Sequence, residues 1–125
     1  MATHQMNLQP KFFNYIKNGT KRIELRLYDE KRRQIGLGDV IEFTSVVPEP
    51  DGRRSENTSM TATLRAEVVG LLRYRSFEEL FEDFDINILA DESMTKEELL
   101  ATLGEFYPKD MQEKYGVVGI RIKLQ

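Results

Sequence analysis

Apolar residues along this chain fall into alternating runs separated by a few helical stripes. From Thr61 to Arg73 every second position is Ala62, Leu64, Ala66 or Val68 at the start, the period of a half-buried strand. The run is long for one strand, and Gly70 is the natural place for a bend or bulge. Val117 to Leu124 repeats the pattern, with Val118, Ile120, Ile122 and Leu124 on the inner side. Val40 to Val46 does so with Ile41 and Phe43 set against Glu42 and Thr44. A further strand runs from about Lys21 to Tyr28. It carries Ile23, Leu25 and Leu27 on one side, and Arg22, Glu24, Arg26 and Tyr28 on the other.

Helical spacing fills the gaps. Pro10 suits a first helical position, and Phe12, Phe13 and Ile16 share a face before Asn18-Gly19 ends the helix. Ser76-Phe-Glu-Glu79 and Thr95-Lys-Glu-Glu98 are capping boxes, the second with Met94 and Leu99 at the two staple positions. They open one helix that uses Leu80, Phe81 and Phe84, and another that buries Leu99, Leu100 and Leu103 and stops near Gly104. Pro108 to Lys114 predicts one more short helical turn, ended by Gly116. Asp29 to Arg33 reads as a loop or a single turn, and Gly36-Leu-Gly38-Asp39 as a turn into the next strand. The N-terminus, MATHQMNLQP, is expected to be mobile, with the lone His4 exposed. Pro48 to Ser59, "PEPDGRRSENTS", reads as a flexible loop, because it has no apolar residue to offset its ordering entropy.

The order α-β-β-β-α-α-β lacks the crossovers that a parallel sheet requires between its first three strands. Four clear strands, or five to six with short ones, predict an α+β fold. Its sheet is expected to be a small mixed or antiparallel barrel, curled or open, with helices on one side. At 125 residues the chain is expected to form one domain, residues 1–125, with 48–59 as a loop insertion.

Composition narrows the chemistry. With 40% hydrophobic and 31% charged residues, the chain is not disordered as a whole. It has no cysteine, which excludes disulfides and thiolate catalysis. His4 has no second histidine to share a metal, so neither a zinc site nor a cofactor is expected. No apolar run approaches the roughly 20 residues of a membrane helix, and no signal core opens the chain. The expectation is a cytoplasmic protein without a membrane partner. The net charge of −3 is polarised: Lys11 to Arg33 holds eight Lys/Arg against three acids, and Glu78 to Glu98 holds nine acids against Lys96. The basic region can attract phosphate; the plain alternative is a pair of solvated faces.

Any catalysis must then use Lys, Asp/Glu, Ser/Thr, Tyr or backbone donors. Lys21, Glu24 and Arg26 are the first candidate set. Glu24 and Arg26, two apart, leave the same face of a strand. Glu24 can accept from a ligand amine or hold Arg26, whose planar fork suits phosphate or a base edge. Lys21 offers a compact charge that burial can bring into the titrating range. The alternative is a salt-bridged solvent face. Arg73-Tyr74-Arg75 is the second set, because a tyrosine that stacks on a base beside an arginine on phosphate suits single-stranded nucleic acid. Its alternative is a core tyrosine between surface arginines.

"Gly19-Thr-Lys21-Arg-Ile-Glu24-Leu-Arg26" resembles the G-x-K-x-x-E-x-R signature of the ASCH (activating signal cointegrator homology) domains. "NLQPKFFNYIKNG" before it, "IGLGDVIEF" after it, "LLRYRSFEELF" and "EKYGVVGIRI" are similar to small bacterial members. The resemblance runs from about Met6 to Ile122. It implies a PUA-like barrel whose cleft is lined by Lys21, Glu24 and Arg26 and which binds RNA or a modified nucleoside. Some small members are amidohydrolases acting on N4-acetylcytidine through a lysine, a threonine and a glutamate, and ribonuclease activity falls within the family's range. Lys21 matches the lysine, and Glu92 in "DESMTKEELLATLGEFYP" falls where the glutamate would be. Glu24 stands in the threonine's place, so a hydroxyl nucleophile is missing there and a carboxylate would have to activate water instead.

Overall fold

The four predicted strands all form, and a fifth joins them. The structure is a computed structural model that describes residues 1–47 and 60–125, so the loop expected at 48–59 lies outside the described residues. In chain order the elements are β1 (Thr3–Asn7), α1 (Pro10–Lys17), β2 (Ile23–Leu27), a 3-10 turn (Arg32–Gln34), β3 (Val40–Val47), β4 (Met60–Tyr74), α2 (Phe77–Asp83), α3 (Ile86–Leu89), α4 (Lys96–Phe106), α5 (Lys109–Tyr115) and β5 (Val117–Leu124). The sheet order is β1-β3-β4-β5-β2. Only the β1–β3 pair is parallel. The sheet curls into a half-barrel, so the α+β barrel expectation holds.

β4 makes the curl. Its first half pairs with β3 from Met60 to Glu67, and its second half pairs with β5 from Ala66 to Tyr74. The register slips between Val68, opposite Ile122, and Gly70, opposite Arg121. Val69 is therefore the extra residue of a bulge at the predicted position, and it is 47% exposed. A bulge adds bend and twist where the strand changes partners.

β1 corrects the expectation of a mobile N-terminus. Its segment, THQMN, has one apolar residue, Met6, so it carries no period-2 signal; pairing to the β3 edge recruits it. His4, expected to be exposed, is half-buried. Its Nε2 lies 2.8 Å from Asp39 Oδ2, and Asp39 also accepts the N–H groups of Ala2 and Gly36. The hydrogen bond to His4, followed by those from the backbone, lowers the Asp39 carboxyl to about 2.

The two faces of the sheet bury two clusters. On the concave face are Met6, Ile41, Phe43, Val68, Val118, Ile120 and Ile122, joined by Phe13 and Ile16 of α1. On the other are Ile23, Leu25, Leu27 and Val117, under Phe77, Leu80, Leu89, Leu99 and Leu103. α1 thus packs on the concave side, whereas the predicted arrangement had every helix on one side. The Thr95 capping box is complete, and Ser76 Oγ accepts the Glu79 N–H.

α4 runs through Gly104 to Phe106, although a stop near Gly104 was expected. Two glycines therefore give opposite results on substitution. Gly104 is helical, with open space where a Cβ would go, so Gly104→Ala should stabilise by about 0.5–1 kcal/mol. Gly116 sits at φ 73°, ψ −179°, a region open essentially to glycine, with a Cβ 3.2 Å from the Tyr74 carbonyl oxygen. Gly116→Ala should cost about 1–3 kcal/mol. Denaturant midpoints of the two variants check the signs; a destabilised Gly104→Ala would mean the helix does not pass through residue 104.

Candidate functional site

β2 is an edge strand, and its parity decides what it offers. Ile122 N–H donates to Arg22 O and Tyr28 N–H to Gly116 O, so the even-numbered residues bond β5. The main-chain groups of Ile23, Leu25 and Leu27 then point away from the sheet. Two of them are met by nearby side chains. Lys21 Nζ donates to Ile23 O at 2.6 Å, and Leu25 N–H donates to Glu24 Oε1 at 3.1 Å.

Lys21 and Glu24 are 3% and 4% exposed, so the polar face of β2 is not open to solvent. Glu24 lies opposite Ile120 and Arg26 opposite Val118, on the concave face. Arg26 Nε and Nη2 both donate to Glu24 Oε2, at 3.0 and 2.8 Å. Nη2 also donates to the Asn7 carbonyl at 2.9 Å. Asn7 ends β1, the opposite edge of the sheet, so one guanidinium spans the gap between the edges of the half-barrel. Lys21 Nζ reaches Leu89 O at 2.6 Å, which ties α3 to the base of β2, and lies 3.5 Å from Glu24 Oε1.

The electrostatics follow from burial. Burial pushes the Glu24 carboxyl up, but the charges of Arg26 and Lys21, with hydrogen bonds from Arg26 and the Leu25 N–H, hold it below its ordinary value. Burial also lowers Lys21, against the pull of Glu24. For Arg26, burial is outweighed by Glu24, and its pKa is raised. The trio carries two potential cations and one anion. Glu24 accepts three hydrogen bonds and has Lys21 as a further neighbour, which occupies most of a carboxylate's acceptor sites. Glu24 holds the two cations; it is not poised to deprotonate water. The two N–H groups of Arg26 Nη1 are not used on Glu24 or Asn7, and Tyr107 lies beside that guanidinium.

Above this trio is a cleft of about 160 Å³. Asn7, Leu8, Gln9 and Phe12 form one wall, Lys21, Glu24, Leu25 and Arg26 the floor, and Leu99, Thr102, Leu103, Phe106 and Tyr107 the other wall. The sequence pattern does not reveal the α4 wall, because Leu99 and Leu103 read as core and the pattern ends the helix near Gly104, before Phe106. The one signal is that residues 99, 102, 103 and 106 share one helical face. Phe106 is 55% exposed at its end.

The second predicted set does not come together. Strand alternation sends Arg73 to the concave face and Tyr74 to the other, where its hydroxyl donates to Asp83 Oδ2 at 2.6 Å. Arg75 lies past the strand end, by a separate hollow next to Phe77 and Gln112. Glu92 is exposed and does not line the cleft. Among the described residues no group of three or more His, Asp or Glu could hold a metal ion, and no helix is long and apolar enough to cross a membrane.

Two solved structures resemble the chain over almost all of its length. The hypothetical protein PH0355, known from a crystal structure, is 36% identical, with a TM-score of 0.78 over 98% of this chain and 99% of that one. Protein PF0455 from Pyrococcus furiosus, solved by solution NMR, is 36% identical, with a TM-score of 0.69 over 98% of this chain and 96% of that one. No curated protein matches the chain. The ASCH domain model matches residues 6–125, so the chain belongs to the ASCH domain family.

Proposed function

We propose that the cleft binds a nucleoside, free or within single-stranded RNA, and that the protein is a cytoplasmic reader with a PUA-like barrel. The observation that carries this reading is an aromatic-walled cleft over a buried cationic floor. Phe12 stands on one wall and Phe106 and Tyr107 on the other, with Arg26 below them. A base has two faces that stack on aromatic rings and an edge of acceptors that a guanidinium can meet. The volume of about 160 Å³ is below the roughly 300 Å³ at which drug-sized ligand pockets begin, which suits one base better than a larger ligand. Arg26 reads the edge, Glu24 and Lys21 hold the floor, and Lys21 Nζ lies 5.8 Å from the Phe12 ring centroid.

Phe106→Ala tests the stacking. Its ring is largely outside the core, so the fold should stay intact while affinity for the bound nucleoside falls by about 1–3 kcal/mol per stacked base. Titration of a nucleoside panel into wild type and variant reads it, and equal affinities would remove Phe106 from the site.

A second reading, an amidohydrolase on N4-acetylcytidine-type nucleosides, is favoured by one observation: the amine of Lys21, lowered by burial, lines the cleft. Against it stands the bonded state of Glu24, which also weakens a ribonuclease that would pair Lys21 with Glu24 as acid and base. Incubation with N4-acetylcytidine separates the readings. Cytidine formed by wild type and not by Lys21→Ala would replace the reader with an enzyme.

A further inference from the structure

Tyr28 continues the concave row of β2 past Glu24 and Arg26, and two guanidinium groups lie over its ring. Arg33 Cζ is 4.5 Å from the ring centroid and Arg73 Cζ is 4.7 Å from it. Arg33 comes from the 3-10 turn after β2, and Arg73 from the end of β4. The register connects them to the cleft. Arg73 is opposite Val118, and Val118 is opposite Arg26, so Arg73 and Arg26 stand on one face two strands apart, about 10 Å.

Neither arginine forms an ion pair with a described residue. Two acids of the adjoining segments have other partners. Asp29 accepts from the N–H and Nη1 of Arg32, and Asp83 accepts from Tyr74. Two like charges are therefore gathered against one tyrosine ring, with no ion-pair partner among the described residues. Cation–π contact with the ring helps to hold each guanidinium in place. Their outward N–H groups remain as two forks suited to phosphate oxygens.

We infer that Tyr28, Arg33 and Arg73 form a phosphate seat, and that it takes a backbone phosphodiester of the RNA strand whose nucleoside occupies the cleft. The inference rests on the nucleoside reading for its second half only. It divides the labour of the concave face: aromatic cleft for the base, arginine pair for the backbone. Arg33 and Arg73 are exposed, so their variants should fold.

The test compares wild type with Arg33→Gln and Arg73→Gln in three titrations: inorganic phosphate, a free nucleoside, and a trinucleotide of the same base. Phosphate should shift the Nε–Hε NMR signals of Arg33 and Arg73 in the wild type. Each variant should bind the trinucleotide more weakly, and its log–log salt slope should fall by about 0.7 per lost contact. The free nucleoside, which has no phosphate, should bind all three proteins alike. Nucleoside binding with an unchanged trinucleotide slope and no phosphate shift overturns the seat and leaves the cleft reading standing. Phosphate shifts without any nucleoside or trinucleotide binding uphold an anion seat and overturn its RNA assignment together with the cleft reading.

Discussion

Glu24→Ala should lose about 3–5 kcal/mol of folding stability, because it removes one partner of a buried ion network and strands the others. Arg26 would keep its bond to Asn7 O, yet its Nε and half of Nη2 would face an apolar gap. Lys21 would lose its one anionic neighbour among the described residues, and two buried cations would remain without that counter-charge. The Leu25 N–H on the free edge of β2 would lose its acceptor as well. Glu24→Gln, which keeps an acceptor oxygen and the shape, should lose less. Urea unfolding at constant slope measures both. A loss below about 1 kcal/mol for Glu24→Ala would mean that water replaces the carboxylate and that the floor is wet.

The acid limb of the same experiment has a definite sign. The folded-state pKa of Glu24 is depressed, so its stabilisation is present above the unfolded carboxylate value and is lost as pH falls through the folded value. The advantage of wild type over Glu24→Gln should therefore shrink in acid. If it widens there, the Glu24 carboxyl is not held down by its two cations.

Lys21 gives the second large effect, and its pH dependence runs the other way from a usual lysine ion pair. Lys21→Ala leaves the carbonyls of Ile23 and Leu89 without their donor, at about 1–3 kcal/mol for each buried group left unsatisfied. α3 loses its tie to β2 at the same time, although Arg22 N–H still reaches Ile88 O. Because burial lowers the folded-state pKa, the unfolded chain binds more protons between that value and the ordinary lysine value. Stability should thus gain a component that rises with pH through the alkaline range. Lys21→Met, which keeps the stem and discards the titration, should lack that rise. Stability curves of the two proteins from neutral to alkaline pH decide it: parallel curves would mean that Lys21 keeps its charge at no cost.

The sequence by itself determined every element with a local signature. Period-2 alternation located four strands to within a residue or two at most ends, as with Thr61–Arg73 against the observed Met60–Tyr74. Two caps opened α2 and α4 where they were expected, and Gly70 marked the bulge. These signals are carried by neighbouring residues, so no partner is needed to see them. The pairing of Glu24 with Arg26 on one face was legible for the same reason.

What only the tertiary structure decided depends on groups brought together from far along the chain. β1 exists because the β3 edge offers main-chain partners, and THQMN has no pattern of its own. Whether the Glu24–Arg26 face met water or protein was open until the sheet curled and Arg26 reached Asn7 across the gap. Phe106 and Tyr107 became a cleft wall because α4 continued past Gly104, the packing of Leu99 and Leu103 outweighing a glycine's cost of about 1 kcal/mol in a helix. Alternation then separated Arg73 from Tyr74, adjacent in sequence, and curvature set Arg73 beside Tyr28 and Arg33. Strand geometry dictates which side a residue takes, but only the curled sheet dictates what it meets there.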